Sequence, residues 1–336
     1  MSTTRTSTSE RVGAYGRLLL VTGANNPMPD VVKTLRSVVS EVSVSATPKV
    51  DPALAKSLDL VLVNYDRLTA EEKQSLLVDV APYVTSGRLV LLSEGKTREN
   101  FVDLFGEHVM MNLLARDPSS DPNDLIVTVR KLLANDIFGL EKYFSWGVPI
   151  HKVVVGGSKD CPEVVNFAEE LARSVGANNR LVSQFSAVAD EFTTNACYNA
   201  PVDGDGKSLY RNLERGQSVV LPDGKSVEVR LASDGQRIGI STSDAYGSLS
   251  PKMVLNYLAK CFRKGEDQID DKEGGAGLGF YLVFESLSHF IINIEPGVRT
   301  EVIGLIDIRG NFRDFAQRTK SFNIFVSQPG KAGVGA

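Results

Sequence analysis

Three separated stretches of this chain carry residue types that can do chemistry together. In Asp190-Glu191-Phe192-Thr193-Thr194-Asn195-Ala196, a run with helical spacing, Glu191 and Asn195 stand four positions apart and share one helical face. A carboxylate there can orient or deprotonate a water or a hydroxyl. An Asn carbonyl oxygen is a hard ligand suited to magnesium already held by phosphates. In Ile240-Ser241-Thr242-Ser243-Asp244-Ala245-Tyr246-Gly247, a strand feeds a carboxylate at its end. Asp244 at that place can accept a hydrogen bond from the exocyclic amine of adenine and so read the base. Gly274-Gly275-Ala276-Gly277-Leu278-Gly279 opens an apolar helix. Its glycines let backbone N–H groups approach phosphate oxygens, and the helix N-terminus adds partial positive charge.

In this order and setting the three stretches resemble the GHKL superfamily of ATPases, over about residues 183–308. Glu191 and Asn195 match its N box, Asp244 its first glycine box, and Gly275, Gly277 and Gly279 its second. Thr300 sits where the family places a threonine near the adenine. Tyr246 and Ser248 stand at the two glycine positions of the first box, with Gly247 between them. The short region between the boxes is more similar to the anti-sigma serine kinase branch than to a full histidine kinase. The resemblance implies ATP and Mg2+ as cofactors. Asp244 would contact the adenine, Asn195 the metal, and Gly247, Gly275, Gly277, Gly279 and Thr300 the nucleotide, with Glu191 as the catalytic base.

Positioning these residues requires a particular run of elements. Spacing predicts a strand over 152–156, helices over 163–175 and 181–200, and strands over 218–221 and 226–231 about the turn Pro222-Asp223-Gly224. A strand over 237–242, a helix over 251–262 and a charged loop over 264–274 follow. A helix over 278–287 and closing strands over 290–294 and 300–308 complete the set.

Upstream, apolar strand-like runs at 17–21, 42–44, 58–63, 88–92 and 108–114 alternate with helical stretches at 31–39, 70–80 and 100–105. Such alternation predicts a parallel sheet wrapped on both faces. Asp59-Leu60-Val61-Leu62-Val63 is similar to the strand that leads to the phosphorylated Asp of a response-regulator receiver. Asn64 takes the acceptor position, and Thr22-Gly23-Ala24-Asn25 replaces the acidic pair after the first strand. The resemblance thus implies a receiver-like domain without phosphotransfer. Asp66 is the nearest carboxylate and reads as a solvated loop residue.

Residues 117–124, with two Asp-Pro steps, mark the boundary, and Asp124 is a candidate cap for a helix over 125–133. The aromatic stretch 135–146, with Ile137, Phe138, Leu140, Tyr143, Phe144 and Trp146, reads as a packed connector. The expected fold is α/β: a disordered tail over 1–14, a doubly wound, receiver-like domain over 15–117 and a connector over 118–150. A GHKL (Bergerat) α/β sandwich over 151–326 and a flexible tail over 327–336 follow.

Composition narrows the function. Of 336 residues, 42% are hydrophobic and 23% charged, as in ordinary globular chains. A net charge of -4 gives no electrostatic case for nucleic acid. No apolar run reaches the length of a membrane span. Three widely spaced cysteines suit a reduced cytoplasmic protein and argue against a zinc site. Asp203-Gly204-Asp205-Gly206 reads as a turn rather than a calcium loop, because Lys207 and Ser208 occupy positions that need a ligand and a glycine. His108, His151 and His289 have no sequence partners that suggest a triad. The expected function is an ATP-binding cytoplasmic signalling protein whose contact with a protein partner responds to nucleotide. An anti-sigma-type Ser/Thr protein kinase and a non-catalytic scaffold are the alternatives.

Overall fold

In the N-terminal half, the strands form where the sequence is apolar without interruption. β1 (Arg17–Val21), β3 (Leu60–Asn64) and β4 (Leu89–Ser93) are buried almost end to end, as strands covered on both faces must be. The computed structural model describes residues 16–50, 52–85, 87–95, 111–116, 120–210, 213, 217–264, 275–310, 313, 315 and 318–328. The helix expected at 100–105, the start of the strand expected at 108–114 with His108, most of the 264–274 loop and both chain ends lie outside the described residues.

β2 (Glu41–Ser45), β1, β3, β4 and β5 (Asn112–Ala115) pair in parallel in that order. α1 (Pro29–Arg36) covers one face and α3 (Ala70–Thr85) the other, with the short α2 (Pro52–Ala55) beside α3. α4 (Pro122–Ala134) joins α1 on its face through Leu125 and Val129. Asp121, not Asp124, caps α4: its Oδ1 accepts from the Asn123 backbone N–H at 2.8 Å, and Pro122 fills the first turn. Asp124 lies one turn further in, where its carboxylate accepts from Arg237 Nη1 at 2.9 Å.

The second half is a mixed, mostly antiparallel sheet. β6 (Ile150–Val155), β7 (Val227–Ser233), β8 (Arg237–Asp244), β10 (Arg299–Asp307) and β9 (His289–Glu295) pair antiparallel in that order. The strand expected at 218–221 does not form. Only Val220 bridges, to Gly157, because the segment crosses the end of edge strand β6 and turns at Pro222. An unexpected strand, β11 (Ser321–Val326), lies parallel to β9 and antiparallel to β5. It joins the halves into one eleven-stranded mixed sheet in an α/β chain with eight α-helices among the described residues.

α5 (Cys161–Ser174), α6 (Asn179–Tyr198), α7 (Pro251–Lys264) and α8 (Gly275–Ser286) cover one face of the second half. Segment 137–150 covers the other, burying Ile137, Leu140, Tyr143 and Phe144 against Ile291, Ile303 and Leu305. Trp146 does not join this cluster. It is fully exposed at 102%, in a turn before β6 where Gly147 takes a φ of 90°.

The seam between the halves is polar inside. Asn112 on β5 faces Asn323 on β11, and their side chains bond at 3.0 Å. Nearby, the Lys131 ammonium of α4 donates to Tyr143 Oη (2.9 Å) and Asn293 Oδ1 (3.1 Å), and Asn293 Nδ2 donates to Glu301 (2.8 Å). All four are buried. Burial drives the Lys131 pKa down to about 7, against the opposing pull of Glu301. Between about pH 7 and 10.5 the unfolded chain therefore holds a proton that the folded one has released. Stability climbs with pH across that window, and below it Lys131 carries its full cost. Denaturant titrations at several pH values should show wild type gaining on the order of 4 kcal/mol over Lys131→Met across the window. Parallel pH profiles for the two proteins would refute this account of the buried amine.

Candidate functional site

The site is built on α6. Asn178 caps it, its Oδ1 accepting from the backbone N–H groups of Arg180 (3.2 Å) and Leu181 (3.1 Å). Leu181, Phe185, Val188, Phe192 and Ala196 bury one stripe against the sheet. The rotation that buries this stripe turns Glu191, Asn195 and Asn199 to another face, one turn apart. They form a ladder: Asn195 Nδ2 donates to Glu191 Oε1 at 2.8 Å, and Asn199 Nδ2 donates to Asn195 Oδ1. The carboxylate can only accept, so it fixes the Asn195 amide with its oxygen turned away from Glu191. That oxygen keeps a second lone pair, which a hard cation could use, as it could the oxygens of the Glu191 carboxylate. Among the described residues no three His, Cys, Asp or Glu side chains gather to hold a metal. Asn195 therefore suits magnesium only as one ligand beside donors that a phosphate brings.

α8 packs on α6 at Glu191. A Cβ on Gly279 would stand 2.0 Å from Glu191 Oε1, so this glycine makes room for the Glu191 carboxylate. Gly275 and Gly277 fall in the first turn of α8. Gly274 before them lies outside the described residues.

Asp244 ends β8, directly opposite Thr300 on β10. Strand alternation turns both to the helix-covered face, and both are buried. Asp244 Oδ1 accepts from the backbone N–H groups of Tyr246 (2.9 Å) and Gly247 (3.3 Å). Burial raises the Asp244 pKa, while these bonds and the approach of Thr300 pull it down. The Thr300 hydroxyl, 2% exposed as a residue, completes no hydrogen bond of good geometry. Gly247 has a φ of 58°, and a Cβ there would meet Glu295 O at 2.3 Å and Val298 N at 2.6 Å. It lets the Asp244 turn lie flat on the β9–β10 hairpin, where Gly297 N donates to Gly247 O at 3.1 Å.

The expected residues thus fall into two groups. Glu191, Asn195 and Gly279 meet at α6 and α8, and Asp244, Gly247 and Thr300 meet at the end of β8. Ser248 Oγ, donating to Ala200 O at 2.8 Å, ties the second group to the end of α6. Tyr246 is buried, with the Lys225 ammonium 5.0 Å from its ring centroid and donating to Ala245 O at 2.6 Å. Asn199 and Lys225 lay outside the sequence reading, which had Ser248 only in place of a glycine of the first box. Only Asn199 had a signal there, as the next i+4 position after Asn195.

Other sequence candidates take structural parts. Asp66 accepts from Ser93 Oγ at 3.0 Å and from the Glu94 and Gly95 backbone N–H groups, so it pins a loop rather than standing in solvent. Asn64 is buried, its amide on Met28 Sδ at 3.3 Å. His151 packs edge-on against Phe167 at 5.4 Å. Asp203 Oδ1 accepts from the backbone N–H groups of Asp205 and Lys207, closing a turn. Comparison with models of known protein families gives no match, and comparison with curated proteins gives none either. Among the described residues no helix is long and apolar enough to cross a membrane.

The fit of Glu191 over Gly279 is open to a double-mutant cycle. Gly279→Ala should cost roughly 1–3 kcal/mol in chemical denaturation, the usual cost of overpacking, and Glu191→Ala should abolish most of that cost. A penalty that persists unchanged in the Glu191→Ala background would mean that the two helices do not meet through this pair.

Proposed function

We propose that this chain binds an adenine nucleotide with magnesium between α6, the end of β8 and the start of α8, and that occupancy governs contact with a protein partner. The observation that carries the reading is the Asp244–Thr300 pair. Both groups are buried, and the approach of the hydroxyl to the carboxylate falls short of a hydrogen bond of good geometry, so a ligand edge that met both would offset the cost of burying them. An adenine edge offers an amine donor to the carboxylate and a ring-nitrogen acceptor to the hydroxyl. Asn195 would supply one oxygen to magnesium, which neutralises phosphate charge when bound. The first turn of α8 would offer backbone N–H groups to the phosphates. Glu191, steadied by Asn195, is the one side chain in the ladder able to take a proton from a hydroxyl or water.

In this reading the second half is a GHKL-type ATP-binding unit and the first half a receiver-like unit serving as a partner surface. The parallel order β2-β1-β3-β4-β5 supports the second point, since it is the order of flavodoxin-like doubly wound domains. So does the engagement of Asn64 and Asp66 in structural bonds, which leaves neither poised as a phosphate acceptor.

Titration calorimetry with ATP and magnesium tests the proposal. Binding is expected, together with a rise in melting temperature that grows with ligand concentration. Asp244→Asn should weaken binding about 10- to 100-fold, the worth of one hydrogen bond to a charged group. Folded protein that takes up neither ATP nor ADP would sink the reading.

A further inference from the structure

Two thiols meet where α5 begins and α6 ends. Cys161 is the first residue of α5, and Cys197 lies in the last turn of α6. They are 36 positions apart in sequence, yet their sulfur atoms stand 4.0 Å from one another, both free and both buried. A disulfide holds its sulfurs about 2 Å apart, so the gap closes if each moves by about 1 Å, a small rotation of each side chain. The two thiols are not equivalent. Cys161 opens a helix, where the backbone N–H groups and the helix dipole favour a thiolate. The hydrogen bond from Cys197 holds its pKa below that of an ordinary thiol, against burial and the charges of Asp190 and Asp160. The same bond, with burial, pushes the Cys197 thiol up. Cys161 also lies nearer to water: it is 6% exposed against 0% for Cys197, and its neighbours Lys159, Pro162 and Glu163 are all exposed. A small solute entering through the first turn of α5 therefore meets Cys161 first.

We infer that Cys161 and Cys197 form a reversible disulfide site, oxidised by hydrogen peroxide, that staples the start of α5 to the last turn of α6. The Cys161 thiolate attacks one peroxide oxygen. The O–O bond breaks, and the departing hydroxide takes up the thiol proton as water, leaving a sulfenic acid on Cys161. The Cys197 sulfur then attacks the sulfenic sulfur. The S–S bond forms as the S–O bond breaks, and a second water carries off the Cys197 proton. The two thiols have together given two electrons to the peroxide, which ends as two waters. Cys197 lies two positions past Asn195 and two before Asn199, on the buried side of the same stretch of α6. The staple therefore restrains the turn that carries both amides of the ladder. This inference does not depend on nucleotide binding.

Peroxide treatment of the full chain, reduced and folded, tests it. Remaining thiols are blocked in denaturant, and the digest is mapped by mass spectrometry without reductant. A linked peptide joining Cys161 to Cys197 is expected, with loss of both thiols, and dithiothreitol should restore them. In Cys197→Ser the reaction should stop at a sulfenic acid on Cys161, which dimedone captures. In Cys161→Ser, Cys197 should keep its thiol. Amide exchange over residues 195–199 should slow in the oxidised protein and recover on reduction. Folded protein that keeps both thiols under peroxide that oxidises them in urea overturns the inference. So does a bond from either residue to Cys261, the third cysteine of the chain. Oxidation of Cys197 at the wild-type rate in Cys161→Ser overturns the order of attack, and unaltered exchange over 195–199 overturns the hold on α6. If a variant does not fold, the wild-type peptide map decides alone.

Discussion

Two half-sheets of opposite character share β11, and its backbone ladder makes them one sheet. On one side β11 runs parallel to β9 through six registered pairs; on the other it meets β5 antiparallel at Phe322–Leu113 and Asn323–Asn112. Backbone pairing this short does not hold two halves together unaided. The side chains at the join supply the rest: Ala115 N donates to Ser321 Oγ, and Asn323 bridges Asn112 and His289. Placing polar groups at a buried join is costly if any is left unpaired and fixes the register when all are met. The apolar layers on both faces are built around that join, with Phe322 and Ile324 toward the helices and Phe325 toward the connector.

The same alternation organises the candidate site. Thr300 and Glu301 are neighbours on β10, yet they face opposite layers. Thr300 looks toward Asp244 and the helices. Glu301 looks toward Asn293 and accepts from the Gly139 backbone N–H of the connector at 2.8 Å. A strand that cannot slide without disturbing both faces links the proposed base-reading position to the connector. Burial on both sides is what makes that link stiff: Asn293 and Glu301 have no water to exchange partners with.

Much of this was legible in the residues because period and punctuation carried it. The parallel strands announced themselves as unbroken apolar runs, α6 as a long amphipathic helix, and β8 as a strand leading to Asp244. The i+4 spacing of Glu191 and Asn195 does become a side-chain bond. β11 went unread although Phe322, Ile324 and Val326 alternate with Ser321 and Asn323, because an expectation of two separate units left no role for a strand after 308. Asp124 drew attention as a cap on position alone; Asp121 before Pro122 holds that place because proline favours the first turn. Trp146 was grouped with its aromatic neighbours by composition, whereas Gly147 swings it into solvent. The bonds of Asp66, and the company of His289, come from segments far away in sequence, which no local pattern encodes.

β11 follows every other described strand along the chain but lies sixth across the sheet. During synthesis, β5 and β9 are both made before the strand that fills the space between them. Until residues 321–326 leave the ribosome, each half presents an open row of amides and carbonyls, the kind of edge that pairs readily with a neighbouring nascent chain. The molecule closes from its middle, and the step that seals those two edges also assembles the polar seam.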